Sequence, residues 1–468
     1  MSLALEGDLT IKETDEIGTT IATYVYRSSK VERGAESVEV ISPPQPSSTS
    51  YITSLLNVFL PAGYPHSVTE DYLETHSRHS QAQLQASYPP EQSYKVRVGV
   101  GDATASPTAA LLLNVLQESM GRIATILFAH RLGTSLEPEC KMYRLAADIL
   151  NDSAMVLDCL SPAFPKPVRV GFLSLSSVLR ALCGVAAGSS KASLSAHFAR
   201  WGNLGELNAK DSSQETIISL IGMLVGSVVV SYVSSPLATW IALLFLLAIH
   251  LATNHAAVRA VNMTTLNRQR ANIVFSALFD DDQVLTPAQA SKEERIFESD
   301  GVLRWRAESN AVFGKCRIGV SLDQLLSLLQ SDDDRRGERG TASNIDTNIS
   351  LPALIGLFKD EEYILYFSPL DRTGTIVLKA GVGAQSQLKA WSHALLVSRY
   401  LARTSASTRV DEKRGAQDEA FLFSILKCTL QEHSQAFDDK IRRLRQAGWE
   451  TDTASLETRP GRRVYVCI

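Results

Sequence analysis

The chain has 468 residues, 45% of them apolar and 21% charged, with a formal net charge of −4. That length gives room for two or three domains, and the composition is ordinary for a globular protein, which excludes a disordered or fibrous chain. No basic excess points to nucleic acid as a partner.

Met1 to Thr10 lacks a basic stretch followed by an apolar run, and reads as neither a signal peptide nor a presequence. Alternating runs at residues 19–26 and 37–41 predict two short strands, a hairpin across Arg33-Gly34. Ser42-Pro43-Pro44-Gln45-Pro46-Ser47-Ser48 then reads as a linker. Residues 51–75 carry a helix-like stretch and a turn at Pro61-Ala62-Gly63-Tyr64-Pro65, and 76–96 are polar and unpatterned.

Ser106-Pro107 is a helix start, with a capping hydroxyl followed by a proline whose missing N–H costs nothing in the first turn. The helix it opens, about 108–130, has apolar positions Leu112, Val115, Met120, Ile123, Leu127 and Phe128. A second helix, about 141–160, is amphipathic. Leu145, Ile149, Val156 and Leu160 form its apolar side, and Arg144, Asp148, Asn151 and Asp152 another, read as a wet face with an Arg144–Asp148 pair, the alternative being that Arg144, Asp148 and Asp152 hold a buried ion or a substrate.

Three apolar segments follow. Residues 170–190 contain one charge, Arg180, which fits an interfacial or protein-buried helix with the guanidinium on a wet side. Between Glu215 and His250 lies an uncharged span of about 34 residues, broken at Ser234-Ser235-Pro236. It predicts an apolar helical hairpin over 217–252, each arm at the short end of the roughly 17–25 residues that cross a hydrocarbon core. Gly184 with Gly188, and Gly222 with Gly226, repeat a small-residue spacing that makes helix-contact faces in lipid. Arg200 and Lys210 before the hairpin, and Arg259, Arg268 and Arg270 after it, place both ends on the cytosolic side.

Residues 331–345 form a charged, glycine-containing loop expected to be disordered. Beyond it the pattern reads strand (362–367), strand (373–379), helix (385–402), long helix (416–447) and strand (463–467), a small α+β unit with an antiparallel sheet. The long helix ends in Lys440, Arg442, Arg443 and Arg445, which complement its dipole. The expected fold class is mainly α, a helical bundle with a membrane-grade apolar hairpin plus a small α+β C-terminal domain. Its parts are a short β or disordered segment (1–50), a helical core (51–275), a connecting region (276–345) and the α+β domain (346–468).

No catalytic signature stands out. Gly99-Val100-Gly101-Asp102 lacks the third glycine of a dinucleotide loop, Gly314-Lys315 lacks the upstream glycine of a phosphate loop, and neither a nucleophile elbow nor a zinc-protease motif is present. His76 and His79 have no evident third ligand, and His250 and His255 read as polar residues flanking the end of the hairpin. The six cysteines form no C-x-x-C, which argues against a zinc site or a secreted disulfide framework and for reduced thiols. No catalytic, cofactor or metal residues are assigned.

Several long stretches carry a resemblance. They are Leu60-Pro61-Ala62-Gly63-Tyr64-Pro65-His66-Ser67-Val68 with Asp71-Tyr72-Leu73, residues 99–109, residues 144–152, residues 209–216, and Leu266-Asn267-Arg268-Gln269-Arg270. Together they resemble the root UVB sensitive protein family, over about residues 55–275 and more loosely through the C-terminal domain. Residues 74–96 depart from the family pattern, which continues there through an apolar helix.

The resemblance implies a membrane-associated protein with no established enzymatic activity. Plant members of the family are linked to seedling development, ultraviolet-B response, and vitamin B6 and auxin homeostasis. It singles out Asp71, Asp102, Arg144, Asp148, Asp152, Arg180, Lys210 and Gln214 as polar candidates. Two functions stay open. One is a non-enzymatic scaffold or small-metabolite carrier, whose partners are the lipid bilayer and a second copy or another family member; in the carrier version Arg144, Asp148, Arg180 and Lys210 converge inside the bundle. The other is a soluble or peripheral cofactor-handling protein or enzyme linked to vitamin B6, with Ser106-Pro107-Thr108 as a phosphate site and Lys95 or Lys141 as its lysine.

Overall fold

The computed structural model describes residues 9–15, 20–27, 37–41, 107–233, 235–306, 311–329, 351–369, 371–407, 415–459 and 461–467. The chain divides into two compact units, Met1–Val68 with Thr264–Ile468, and Thr69–Met263. The protein is mainly helical, with an α+β part.

The α+β unit is organised by one mixed sheet. Strands β1 (Leu9–Thr14), β2 (Thr20–Arg27) and β3 (Ser37–Ile41) form an antiparallel meander. They are followed much later by β4 (Val302–Trp305), β5 (Ala311–Ile318), β6 (Tyr363–Ser368), β7 (Thr373–Lys379) and β8 (Arg463–Cys467). The order is β3-β2-β1-β8-β7-β5-β4, with β6 on the other edge of β7. The two strands expected near the N-terminus therefore pair as predicted, and β1, which the sequence reading did not assign, joins them to β8 with Ile11 opposite Val466.

The sheet is not purely antiparallel. β7 runs parallel to both β5 and β8, which share one of its edges end to end. The handover lies at Gly319, at φ +72°, whose N–H bonds to Ile376 O at 3.0 Å while its carbonyl takes the Arg462 N–H at 3.2 Å. Parallel pairing needs a long crossover, and the two helices between β7 and β8 supply it. β6 is buried along its whole length, which is why Tyr363-Ile364-Leu365-Tyr366-Phe367 reads as a continuous apolar run rather than an alternation.

Eleven helices are described, five in the helical unit and six in the α+β unit. In chain order the first five are α1 (Pro107–Leu136), α2 (Cys140–Leu160), α3 (Lys166–Phe198), α4 (Leu204–Tyr232) and α5 (Pro236–Ala260). The other six are α6 (Arg268–Asp281), α7 (Pro287–Glu293), α8 (Leu322–Leu329), α9 (Leu351–Leu357), α10 (Ala384–Ser407) and α11 (Gly415–Gln446). α6 starts because Asn267 Oδ1 accepts the Arg270 N–H at 2.9 Å. α7 carries a capping box, Thr286 with Gln289, and a proline in its first turn. The core between helices and sheet holds Trp305, Trp391, Phe275, Phe358 and Tyr363, all fully buried.

Arg268 and Arg270, counted in the sequence as flanking charges of a membrane hairpin, are structural. Arg270 pairs with Glu294 at 2.7 Å with both side chains buried, and Arg268 pairs with Asp300. Breaking such a buried pair costs about 3–5 kcal/mol, because a lone charge is left without solvent.

In the helical unit α1 and α2 pack on α3, α4 lies against α3, and α5 against α2. α3, α4 and α5 are long and apolar enough to cross a membrane: Pro167–Phe198, Leu204–Val229 and Pro236–Ala260. The helices thus extend beyond the apolar arms expected over 217–252, and residues 170–190 fall in a third helix of that length and composition. Ser235 caps α5 from the break in the span, accepting the Ala238 N–H at 3.2 Å. On α1 the expected apolar positions Val115, Met120, Ile123 and Leu127 are exposed. The close contact is instead at Gly121, where an added Cβ would sit 3.2 Å from Ser177 Oγ. The α1 cap at Ser106, the segments 42–96, and the loop 331–345 lie outside the described residues.

Candidate functional site

Arg144, Asp148 and Asp152 follow one another at four-residue spacing, so α2 carries all three on one face. The sequence reading places that face in water, with Ile149 in the core. The structure buries Leu145 as expected but departs from the rest. Asp148 and Asp152 are 8% and 5% exposed, Arg144 is half-buried, and Ile149 is exposed. The reason is the neighbourhood: α2 turns its charged side toward α5, whose His250 lies near the middle of that apolar helix.

His250 Nδ1 stands 3.0 Å from Asp152 Oδ2. Asp148 Oδ2 and Asp152 Oδ1 are buried without a hydrogen-bond partner among the described residues. Burial pushes the Asp148 carboxyl above the usual carboxylate range, against the pull of Arg144 and His250 and with the added push of Asp152. Cys183 of α3 lies within Coulombic reach of both carboxylates. Buried carboxyl groups with unsatisfied oxygens are costly unless something binds them, which marks this cluster as a candidate site.

The other polar candidates separate. Arg180 pairs with Asp158 at a half-exposed position, and Lys210 and Gln214 are exposed on α4. α3 and α4 are joined instead by Lys191, which reaches Asp211 at 2.7 Å and Glu215 at 2.8 Å. An added Cβ at Gly184, Gly188, Gly222 or Gly226 would meet nothing within 4 Å in the single chain. Asp71 and Asp102 lie outside the described residues. His250, read from the sequence as an interface residue, instead reaches the buried Asp152. Its signal is that, apart from Tyr232, it is the first ionisable side chain after Glu215.

Two further clusters in the α+β unit are structural. Ser392 Oγ lies 2.8 Å from His433 Nε2, and His393 lies 3.0 Å from the Tyr363 hydroxyl and 2.9 Å from Thr429 Oγ1. Both histidines and Ser392 are 0% exposed, so a serine–histidine pair exists here that no substrate reaches. Burial pushes His393 down to about 3 and His433 well below its usual value, keeping both neutral. A cavity of about 390 Å³ is lined by Phe279, Asp280, Arg399, Tyr400, Arg403 and Glu432. Its charges engage their neighbours: Asp280 takes the Trp305 indole N–H at 2.5 Å and pairs with Arg399, which stacks over the same indole at 4.0 Å. Among the described residues no three His, Cys, Asp or Glu side chains are placed to hold a metal ion.

The comparisons with known proteins agree with these elements. Residues 45–282 match the vitamin B6 photo-protection and homoeostasis domain, and residues 349–460 the root UVB sensitive protein C-terminal domain. RUS family member 1 of Dictyostelium discoideum is 34% identical over 60% of this chain and 53% of its own length. Protein root UVB sensitive 3 of Arabidopsis thaliana is 27% identical over 85% of this chain and 83% of its own, and protein root UVB sensitive 5 of the same plant is 25% identical over 85% and 74%. The chain therefore spans about half the length of the Dictyostelium relative and most of the two plant ones. No solved structure matches it. The first domain covers every helix of the helical unit and ends just past α6, the second runs from α9 past α11, and on these two matches the chain belongs to the root UVB sensitive family.

Proposed function

We propose that this chain is a membrane-embedded, non-enzymatic protein that carries a small molecule at the Asp148–Asp152–His250 cluster. The observation behind it is a polar cluster on an apolar background. α4 and α5 present Ile218, Met223, Leu224, Leu237, Ile241 and Phe245 at more than half exposure, a surface that water does not favour and hydrocarbon does. Against it, α2 holds two buried carboxylates and an imidazole contact. An ionisable group at membrane depth is costly, and is retained where it serves a pathway or a ligand. A scaffold needs the apolar helices but not the cluster, which is why the carrier reading is preferred. On this reading both ends of the apolar pair face the cytosol, and Arg259 is the flanking charge that remains after Arg268 and Arg270 are assigned to the α+β unit.

The family's vitamin B6 homoeostasis domain supports a second reading, in which the chain handles the phosphorylated cofactor. The cluster does not fit that group, since two carboxylates repel a phosphate. Lys141 is buried two turns from Asp148 on the same helix, and Ser106 lies outside the described residues.

The test has two stages. Alkaline carbonate washing of membranes from cells expressing the chain is expected to leave it in the pellet; release into the supernatant removes the membrane reading. Reconstituted vesicles are then expected to take up a solute in a manner that Asp152→Asn abolishes. A purified chain that shows a pyridoxal absorbance band would favour the second reading.

A further inference from the structure

We infer that the Asp148–Asp152–His250 cluster binds a compact monovalent cation, either an alkali ion or the primary ammonium group of a small molecule. The inference rests on the proposal that this cluster is the ligand site. The charge count of the groups that face it sets the sign. α2 supplies Arg144, Asp148 and Asp152; α3 supplies Cys183, with Arg180 engaged by Asp158; α5 supplies His250. Arg144 is the one guanidinium left to face the two carboxylates. The two oxygens that lack a donor, Asp148 Oδ2 and Asp152 Oδ1, belong to side chains more than nine-tenths buried and lie on the same face of α2.

Those oxygens only accept, so the missing partner is a donor or a cation. An ammonium group has three N–H donors and a full charge, and gives each oxygen a charge-assisted hydrogen bond. An anion would meet two carboxylates. A divalent metal would need three ligands placed around one point, and Asp148, Asp152 and His250, though of ligating type, are not so placed. The low polarity around α5 strengthens the attraction relative to water, which lets a weakly hydrated cation compete with bulk solvent.

The experiment uses the full chain in detergent, at constant ionic strength and pH. Its thermal midpoint is followed in sodium, potassium and methylammonium chloride, with N-methyl-D-glucamine as a cation too bulky for the site. A saturable rise in methylammonium or an alkali salt, absent in N-methyl-D-glucamine, is expected. The cation that saturates lower identifies the source. Asp148→Asn and Asp152→Asn should each weaken the effect at least tenfold, and Glu215→Gln, in the Lys191 pair between α3 and α4, should not. If a carboxylate variant fails to fold, the wild-type cation series together with His250→Gln decides.

An equal rise in all four salts overturns the inference. So does a midpoint that follows pH but no cation, because the carboxylates would then share a proton. Methylammonium uptake into vesicles tests the carrier reading separately. Binding without uptake removes carriage and keeps the cation site; uptake of another solute that ignores Asp152→Asn removes the cation site and keeps carriage.

Discussion

In the α+β unit Trp305, Trp391, Phe275 and Tyr363 are withdrawn from solvent, whereas in α4 and α5 Met223, Leu224, Leu237 and Phe245 stand more than half exposed. Both units bury polar groups, but those of the α+β unit are partnered, as in the Arg270–Glu294 pair and the His393–Thr429 contact, whereas Asp148 Oδ2 and Asp152 Oδ1 of the helical unit have no partner among the described residues. The packed apolar cluster of the helical unit is small, built on Leu136, Tyr143, Ala147 and Ala186. One chain thus follows two burial rules, and the difference is explained if the two units meet different solvents.

The largest expected effect tests the ordinary rule. Trp391→Ala removes a fully buried indole and its 2.9 Å hydrogen bond to Asn272 Oδ1. It should cost about 3–5 kcal/mol, read from denaturant unfolding of the α+β unit. Phe245→Ala, a comparable truncation on α5, should cost under about 1 kcal/mol in detergent, since the ring is 65% exposed. Equal costs would mean that α5 is packed against protein, and the contrast between the units would collapse.

A charge at the same helix gives the next effect. Leu244→Arg, near the middle of α5, should raise the cost of insertion by roughly 2.5–3.5 kcal/mol and lower the carbonate-resistant fraction. In a water-facing helix the same change would be neutral and would aid solubility. The two outcomes are opposite in sign, which makes this the sharpest comparison of solvents.

Much of this architecture was legible. The strands at 362–367, 373–379 and 463–467, the helices 385–402 and 416–447, and the N-terminal hairpin stand within a few residues of their expected places, because the helices carry a clear period and the strands are short apolar or alternating runs bounded by turn residues. Three things were not. β1 is six residues with a weak alternation, and its pairing with β8 depends on tertiary contact rather than local pattern. The parallel pairing of β7 needs the crossover to be known first. The burial of Asp148 and Asp152 alongside Leu145 was not legible because an amphipathic period fixes which residues share a side but not what packs against it; His250, which reaches Asp152, lies 98 residues away. The family motif at 266–270 was read as flanking charge, and is a helix cap followed by two ion-paired arginines.

The third effect is a pH dependence confined to the α+β unit. His393 is fully buried, and burial lowers it to about 3, against about 6.5 in an unfolded chain. The unfolded state therefore binds the extra proton between those values, so stability is full above pH 6.5 and falls as pH drops toward 3. From pH 7 to pH 5 this group alone should remove about 2 kcal/mol, with His433 adding in the same direction. Hydrogen exchange at α10 and α11 is the readout, and a pH-independent exchange pattern over this window would contradict the buried, neutral pair.

The smallest effect separates two kinds of glycine in the helical unit. Gly222 and Gly226 have the spacing of a helix-contact face, yet a methyl added to either meets nothing within 4 Å. Alanine is the better helix former by about 1 kcal/mol, so Gly222→Ala with Gly226→Ala should leave a single chain unchanged or slightly more stable. Gly121 has no glycine partner at four-residue spacing, but its position between helices is tight: an added Cβ lies 3.2 Å from Ser177 Oγ and 3.4 Å from the Ser177 carbonyl oxygen. Gly121→Ala should therefore cost about 1–3 kcal/mol as α1 is pushed from α3. If the paired substitution instead lowers the cross-linked dimer fraction in vesicles while Gly121→Ala does not, the glycine pair is a contact between copies. If neither variant changes association, the spacing is incidental, and close helix approach in this unit is governed by Gly121 against Ser177.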